Sequence, residues 1–117
     1  MGLTKHFKET IKSRVENDPE FREALLGEAV SSFLSGDMET GKSILRDFIN
    51  ATIGFEELAR EIDKPSKSLH RMLSPIGNPT TKTFFELLAI LQTRDGIKLV
   101  VKPSALSSHA TDHAPNL

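Results

Sequence analysis

Lys64, Lys67, Arg71 and Lys82 fall within a stretch, residues 64 to 85, that contains no Asp or Glu. Interleaved with them are the hydroxyls of Ser66, Ser68, Thr80 and Thr81 and the imidazole of His70. Cations and hydroxyls without a carboxylate suit non-covalent binding of phosphate oxygens and of acceptor atoms on base edges. The rest of the chain does not share the bias. Residues 1 to 63 hold 8 Lys/Arg against 13 Asp/Glu, and residues 86 to 117 hold three of each. The net charge of -1 therefore conceals a basic segment between an acidic half and a neutral end. A solvated basic face has the same composition, so the choice falls to the elements that position these side chains.

Other chemistries find less support. Gly36, Gly41, Lys42 and Ser43 fit the spacing of a nucleotide-binding phosphate loop. A working loop follows a buried strand and opens a helix, whereas here a helical pattern precedes it and no parallel sheet is available. Asp37 and Glu39 would also direct negative charge into the anion cradle. His6, His70, His109 and His113 form neither an HExxH pair nor a compact set with carboxylates, so no metal site is expected. No Ser, His and acid are spaced as a nucleophile with its base, so neither an enzyme nor a cofactor is expected. The sequence has no Cys, which excludes disulfides, thiolate ligands and a Cys nucleophile.

The first half reads as three amphipathic helices. Thr4 can cap the first, on which Phe7, Ile11 and Val15 recur at four-residue spacing. Asp18-Pro19-Glu20 restarts the chain as a second helix, with a capping carboxylate, a proline in the first turn and an acid near the positive end. Its stripe runs through Phe21, Leu25, Leu26, Ala29, Val30, Phe33 and Leu34 until Gly36. A third helix from about Asp37 is expected to bury Met38, Ile44, Leu45, Phe48 and Ile49 before Gly54.

Shorter pieces follow. Phe55 to Ile62 makes two turns, Ser66 to Ser74 another helix, and Pro75 to Pro79 a loop. Thr80 or Thr81 can cap a final helix to about Arg94. Phe21, Phe33, Phe48, Phe84 and Phe85 all read as core. Ile97 to Lys102 alternates like a strand, and a lone strand needs a partner, which points to pairing with a second copy through Ile97, Leu99, Val100 and Val101. The expected architecture is all-α in one domain over 1–102: a helical extension (1–36), a core (37–94) and a dimerising strand (97–102), then a disordered tail (103–117).

Within that core the two short helices meet the mechanical demand of a helix-turn-helix. Steep crossing requires a small residue at the contact, a tight turn four residues on, and apolar positions on the second helix. Ala59, Asp63, Leu69 and Met72 stand at those places.

The stretch GFEELAREIDKPSKSLHRML, Gly54 to Leu73, followed by GNPT, Gly77 to Thr80, and an apolar helix, resembles the Xre or lambda-repressor-like helix-turn-helix proteins. The order of a leading helical extension, ATIGFEELA, KPSKSLHRMLS, GNPT and a closing strand is similar to the HigA-type antitoxins, the probable addiction module antidote group. The turn departs from the family at two positions, with Asp63 where Gly is usual and Lys64 where an apolar residue is usual. Asp tolerates positive φ, and the Lys stem can lie along a core while its ammonium reaches water.

The resemblance implies that Ser66 to Leu73 is the recognition helix of a lambda-repressor-like bundle. Ser66, Lys67, Ser68, His70 and Arg71 would face the DNA major groove, with Lys64 beside them. Arg71 or Lys67 would read guanine, and the backbone amides at Thr80 and Thr81, with Lys82, would hold phosphate. It further implies a homodimer on an inverted-repeat operator, and a type II toxin-antitoxin role: repression of its own operon and neutralisation of a small, basic, RelE/HigB-like mRNA-cleaving toxin. The acidic first half suits a cationic partner of that kind. A stand-alone Xre-type transcriptional regulator and a helical protein-interaction module remain the alternatives. Binding of its own upstream DNA separates out the module, and a neighbouring reading frame for a basic ribonuclease separates out the regulator. With no basic leader running into an apolar stretch and no apolar run of membrane-spanning length, the expected location is the cytoplasm and no membrane partner is expected.

Overall fold

The computed structural model describes residues 5–106, with side chains from Glu9 onward, as a bundle of six helices. They are α1 (Lys5–Asn17), α2 (Pro19–Leu34), α3 (Met38–Ala51), α4 (Phe55–Ile62), α5 (Ser66–Met72) and α6 (Thr81–Asp95). Thr4 and the side chains of His6 and Phe7 lie outside the described residues, as do residues 107–117 with His109 and His113. Among the described residues no helix is long and apolar enough to cross a membrane.

Local chemistry sets the boundaries. The Asp18 carboxylate accepts from the Phe21 N–H at 3.1 Å, and that bond, with the Arg14 guanidinium, holds its carboxyl below the usual value. Asp37 caps α3 in the same way through the Thr40 N–H at 3.2 Å. Between α2 and α3, Gly36 adopts φ +88°, so that its N–H reaches the Phe33 carbonyl and the Asp37 N–H reaches that of Ser32.

One apolar cluster joins the extension to the remainder. Leu26 and Ala29 of α2 pack with Leu45, Phe48 and Ile49 of α3, with Phe55, Leu58 and Ala59 of α4, and with Leu69, Leu73, Leu87, Leu88 and Leu91. Val15 of α1 is buried as well. The second helix is therefore built into the common core, and the first packs against α2 and α3.

Three expected core positions are exposed. Phe85 is 61% accessible because Phe84 occupies the inward position, edge-on to Phe33 at 4.9 Å, and the next residue lies about 100° round the helix. Leu34 and Met38 flank the Gly36 turn, where the stripe runs past the end of the core.

The closing segment also differs from expectation. Residues 97–102 form no β-ladder among the described residues. A single chain supplies no second strand, and the backbone finds α6 instead: the Ile97 N–H reaches the Gln92 carbonyl at 3.0 Å and the Leu99 N–H the Gln92 side-chain oxygen at 2.9 Å. Ile97 and Leu99 are half-buried against the core, whereas Val100 and Val101 are 74% and 71% exposed.

Candidate nucleic-acid interface

The corner between α4 and α5 is closed by Asp63, the one non-glycine residue with positive φ among the described residues (φ 58°, ψ 49°). Its N–H reaches the Arg60 carbonyl at 3.3 Å, and the Lys64 N–H reaches that of Ala59 at 3.1 Å. These two bonds satisfy the last carbonyls of α4 in the Schellman pattern that glycine usually serves. Aspartate therefore makes here a left-handed turn that glycine more often makes. Pro65 redirects the chain into α5, and Lys64 is half-buried.

On α5 the buried position is Leu69, supported by Leu73 and by half-buried Met72. Lys67 and Arg71, one helical turn apart, project from the opposite side. Both are exposed, and neither has an ion-pair partner among the described residues. With Pro65, Ser68, Met72, Gly77 and Asn78 they line an open cavity of about 510 Å³ between α5 and the following loop. Gly77 is required there: a Cβ at this position would stand 2.0 Å from the Arg71 carbonyl oxygen.

The other expected contacts distribute around this cavity. The Ser66 hydroxyl donates to the Glu56 carboxylate at 3.0 Å, and the His70 ring stacks on Phe55 at 4.0 Å, so both engage the first turn of α4. Lys64, Ser66 and Glu56 share a second depression with Arg60 and Asp63. At the start of α6, Thr80, Thr81 and Lys82 are exposed. The Thr80 hydroxyl accepts from the Thr83 N–H at 3.2 Å, and Lys82 stands 3.7 Å from Glu86. The first N–H groups of this 15-residue helix have no partner within it, which suits a phosphate. Lys67, Ser68 and Arg71 thus come together, Thr80 to Lys82 form a separate group on the next helix, and Ser66 and His70 turn toward α4.

Two residues outside the expected set also shape this face. Glu56 brings a carboxylate to the N-terminal end of α5 from ten residues away. Lys42 is 1% exposed, and its ammonium donates to the carbonyls of Ser74 at 3.0 Å and Gly77 at 2.7 Å, with Glu39 at 3.3 Å. Nearby, the Arg46 guanidinium donates to the Leu73 carbonyl. Gly36 to Ser43 is therefore the α2–α3 turn and the first turns of α3, with its lysine directed inward and all three ammonium donors near oxygen. Lys42 shares a helical face with Leu45 and Ile49, and that periodicity is the signal by which its burial was open to detection. The chain matches no protein-family model, and neither a curated protein nor a solved structure matches it.

Proposed function

We propose that this chain is a sequence-specific DNA-binding protein of the helix-turn-helix kind, acting as the antitoxin of a type II module. It would repress its own operon and bind a small basic mRNA-cleaving toxin. The observation that carries the DNA reading is the pairing of Lys67 and Arg71 on the side of α5 opposite buried Leu69, exposed, unpaired among the described residues and beside a cavity. Arg71 reads a guanine edge in this account, and the amino end of α6 holds a phosphate. Two copies related by a two-fold axis would address half-sites about 34 Å apart. Val100 and Val101 are the side chains of the closing segment free to meet a second copy, since Ile97 and Leu99 already face their own core.

The test is an electrophoretic shift on the chain's own upstream DNA, repeated at several salt concentrations, with Arg71→Ala alongside. Loss of about 1–3 kcal/mol on that DNA but not on random duplex identifies a base contact. A loss equal on both identifies a phosphate contact, and absence of any salt-dependent shift overturns the reading. The antitoxin role rests on the sequence resemblance and on the acidic surface of Glu16, Glu20, Glu23 and Glu28, all exposed on α1 and α2. Removing those helices would also remove Leu26 and Ala29 from the core, so the informative variant reverses the four charges. Undiminished binding of a basic ribonuclease encoded beside this chain would exclude that surface as its docking site.

A further inference from the structure

We infer that Lys42, with Arg46, is a positioning residue for DNA recognition: α3 sets the place of α5 and of the loop behind it by holding their carbonyl oxygens. The inference rests on the DNA-binding reading above and adds residues that touch no DNA. Leu73 ends α5, Ser74 follows it and Gly77 lines the cavity beside Lys67 and Arg71. Carbonyls at a helix C-terminus have no partner within the helix, and a buried one left unbonded is unfavourable. In this chain those at Leu73 and Ser74, with that of Gly77 in the loop, are met by cations from 27, 32 and 35 residues away.

The arrangement does more than satisfy polar atoms. Gly77 approaches the Arg71 carbonyl closely enough to exclude a side chain, so any drift of the loop changes the wall of the cavity and the backbone from which Arg71 projects. The Lys42 ammonium bonds both sides of that approach, Ser74 just after α5 and Gly77 in the loop. Ile76 between them is 92% exposed and contributes almost no packing of its own, so the loop is held by polar bonds: its own, from the Gly77 N–H to the Ser74 carbonyl at 3.1 Å, and the two from Lys42 that tie it to α3. A base contact depends on placement to within a fraction of an ångström, so loosening the loop should reduce discrimination between sequences more than it reduces general attraction to the backbone.

The experiment measures fluorescence anisotropy on the upstream DNA and on a random duplex for the wild-type chain, Lys42→Met, Arg46→Met and Leu26→Ala. Leu26→Ala is a core variant that lowers stability without touching the loop. All affinities are corrected for the folded fraction from circular dichroism. The expected result is a drop of about tenfold in the specific-to-random ratio for Lys42→Met, the size of one lost base contact, and a smaller drop for Arg46→Met. Leu26→Ala should keep the wild-type ratio. If Lys42→Met does not fold, Arg46→Met, which removes only a half-buried tie, carries the test alone. A wild-type ratio in every folded lysine and arginine variant overturns this inference and leaves the DNA reading standing. A wild-type chain that binds neither duplex removes both.

Discussion

Two cations reach inward from the helices that precede the corner, Lys42 from α3 and Arg22 from α2, and they meet different surroundings. Lys42 finds two carbonyls at hydrogen-bond distance and a carboxylate just beyond. Arg22 makes one good bond, to the Val15 carbonyl at 2.8 Å, but its Nε stands 3.9 Å from Asp95. That Nε and the second Asp95 oxygen are buried with no hydrogen-bond partner among the described residues, beside a cavity of about 210 Å³. Burial pushes the Asp95 carboxyl up against the opposing pull of Arg22 and Arg94. The lesson is that burying charge makes a strong tie only where acceptors already stand at bonding distance. The loop beside α5 is held that way, and the contact between the extension and the end of α6 is not.

The contrast is most exposed to Lys42→Met. The variant removes the bonds to two half-buried carbonyls, of which that of Ser74 keeps the Gly77 N–H at 3.1 Å, and should cost about 2 kcal/mol, against about 1 kcal/mol for Arg22→Met, as read from urea denaturation. Equal losses would erase the distinction. The glycines of the two regions should differ in sign. Gly77→Ala forces backbone apart and should destabilise by about 2 kcal/mol. Gly27→Ala, with nothing within 4 Å of its Cβ, should stabilise α2 by about 1 kcal/mol in thermal melts.

A pair of helix caps separates stability from function. Asp18→Ala and Thr80→Ala should each lose about 1 kcal/mol of stability, while Thr80→Ala alone also weakens binding of the upstream duplex. The smallest effect belongs to Asp95→Asn. A carboxyl whose value is raised on folding disfavours the folded state once ionised. The cost is absent below the ordinary value of 3.8 and grows as pH rises through the elevated one. The variant should therefore match wild type near pH 3 and be more stable by about 0.5 kcal/mol near pH 7, the scale of removing an anion from a helix C-terminus. A variant less stable at pH 7 would show that the Arg22 pairing outweighs burial.

Helix positions were legible wherever punctuation is local. Asp18-Pro19, Gly36, Gly54 and Thr80 each mark an end within one or two residues of where it falls, because caps and left-handed turns are decided by neighbours. The corner was legible for the same reason, since Ala59, Asp63 and Leu69 act at fixed short offsets. What escaped depends on distant partners. Phe84 and Phe85 are equally apolar, and only the position of Phe33 on α2 decides which turns inward. Ser66 and His70 read as free to meet DNA until α4 supplies Glu56 and Phe55. The alternation of residues 97–102 is real, yet one copy offers it a glutamine side chain where a strand would need another backbone.

An amine sealed from solvent is also closed to acylating reagents. Lys67 and Lys82, on the surface around it, should label within the first moments of exposure to a succinimidyl ester, while Lys42 should label only when the α5–α6 loop parts from α3. The rate at which mass spectrometry finds Lys42 modified would then clock that opening directly, without mutation and in the intact chain.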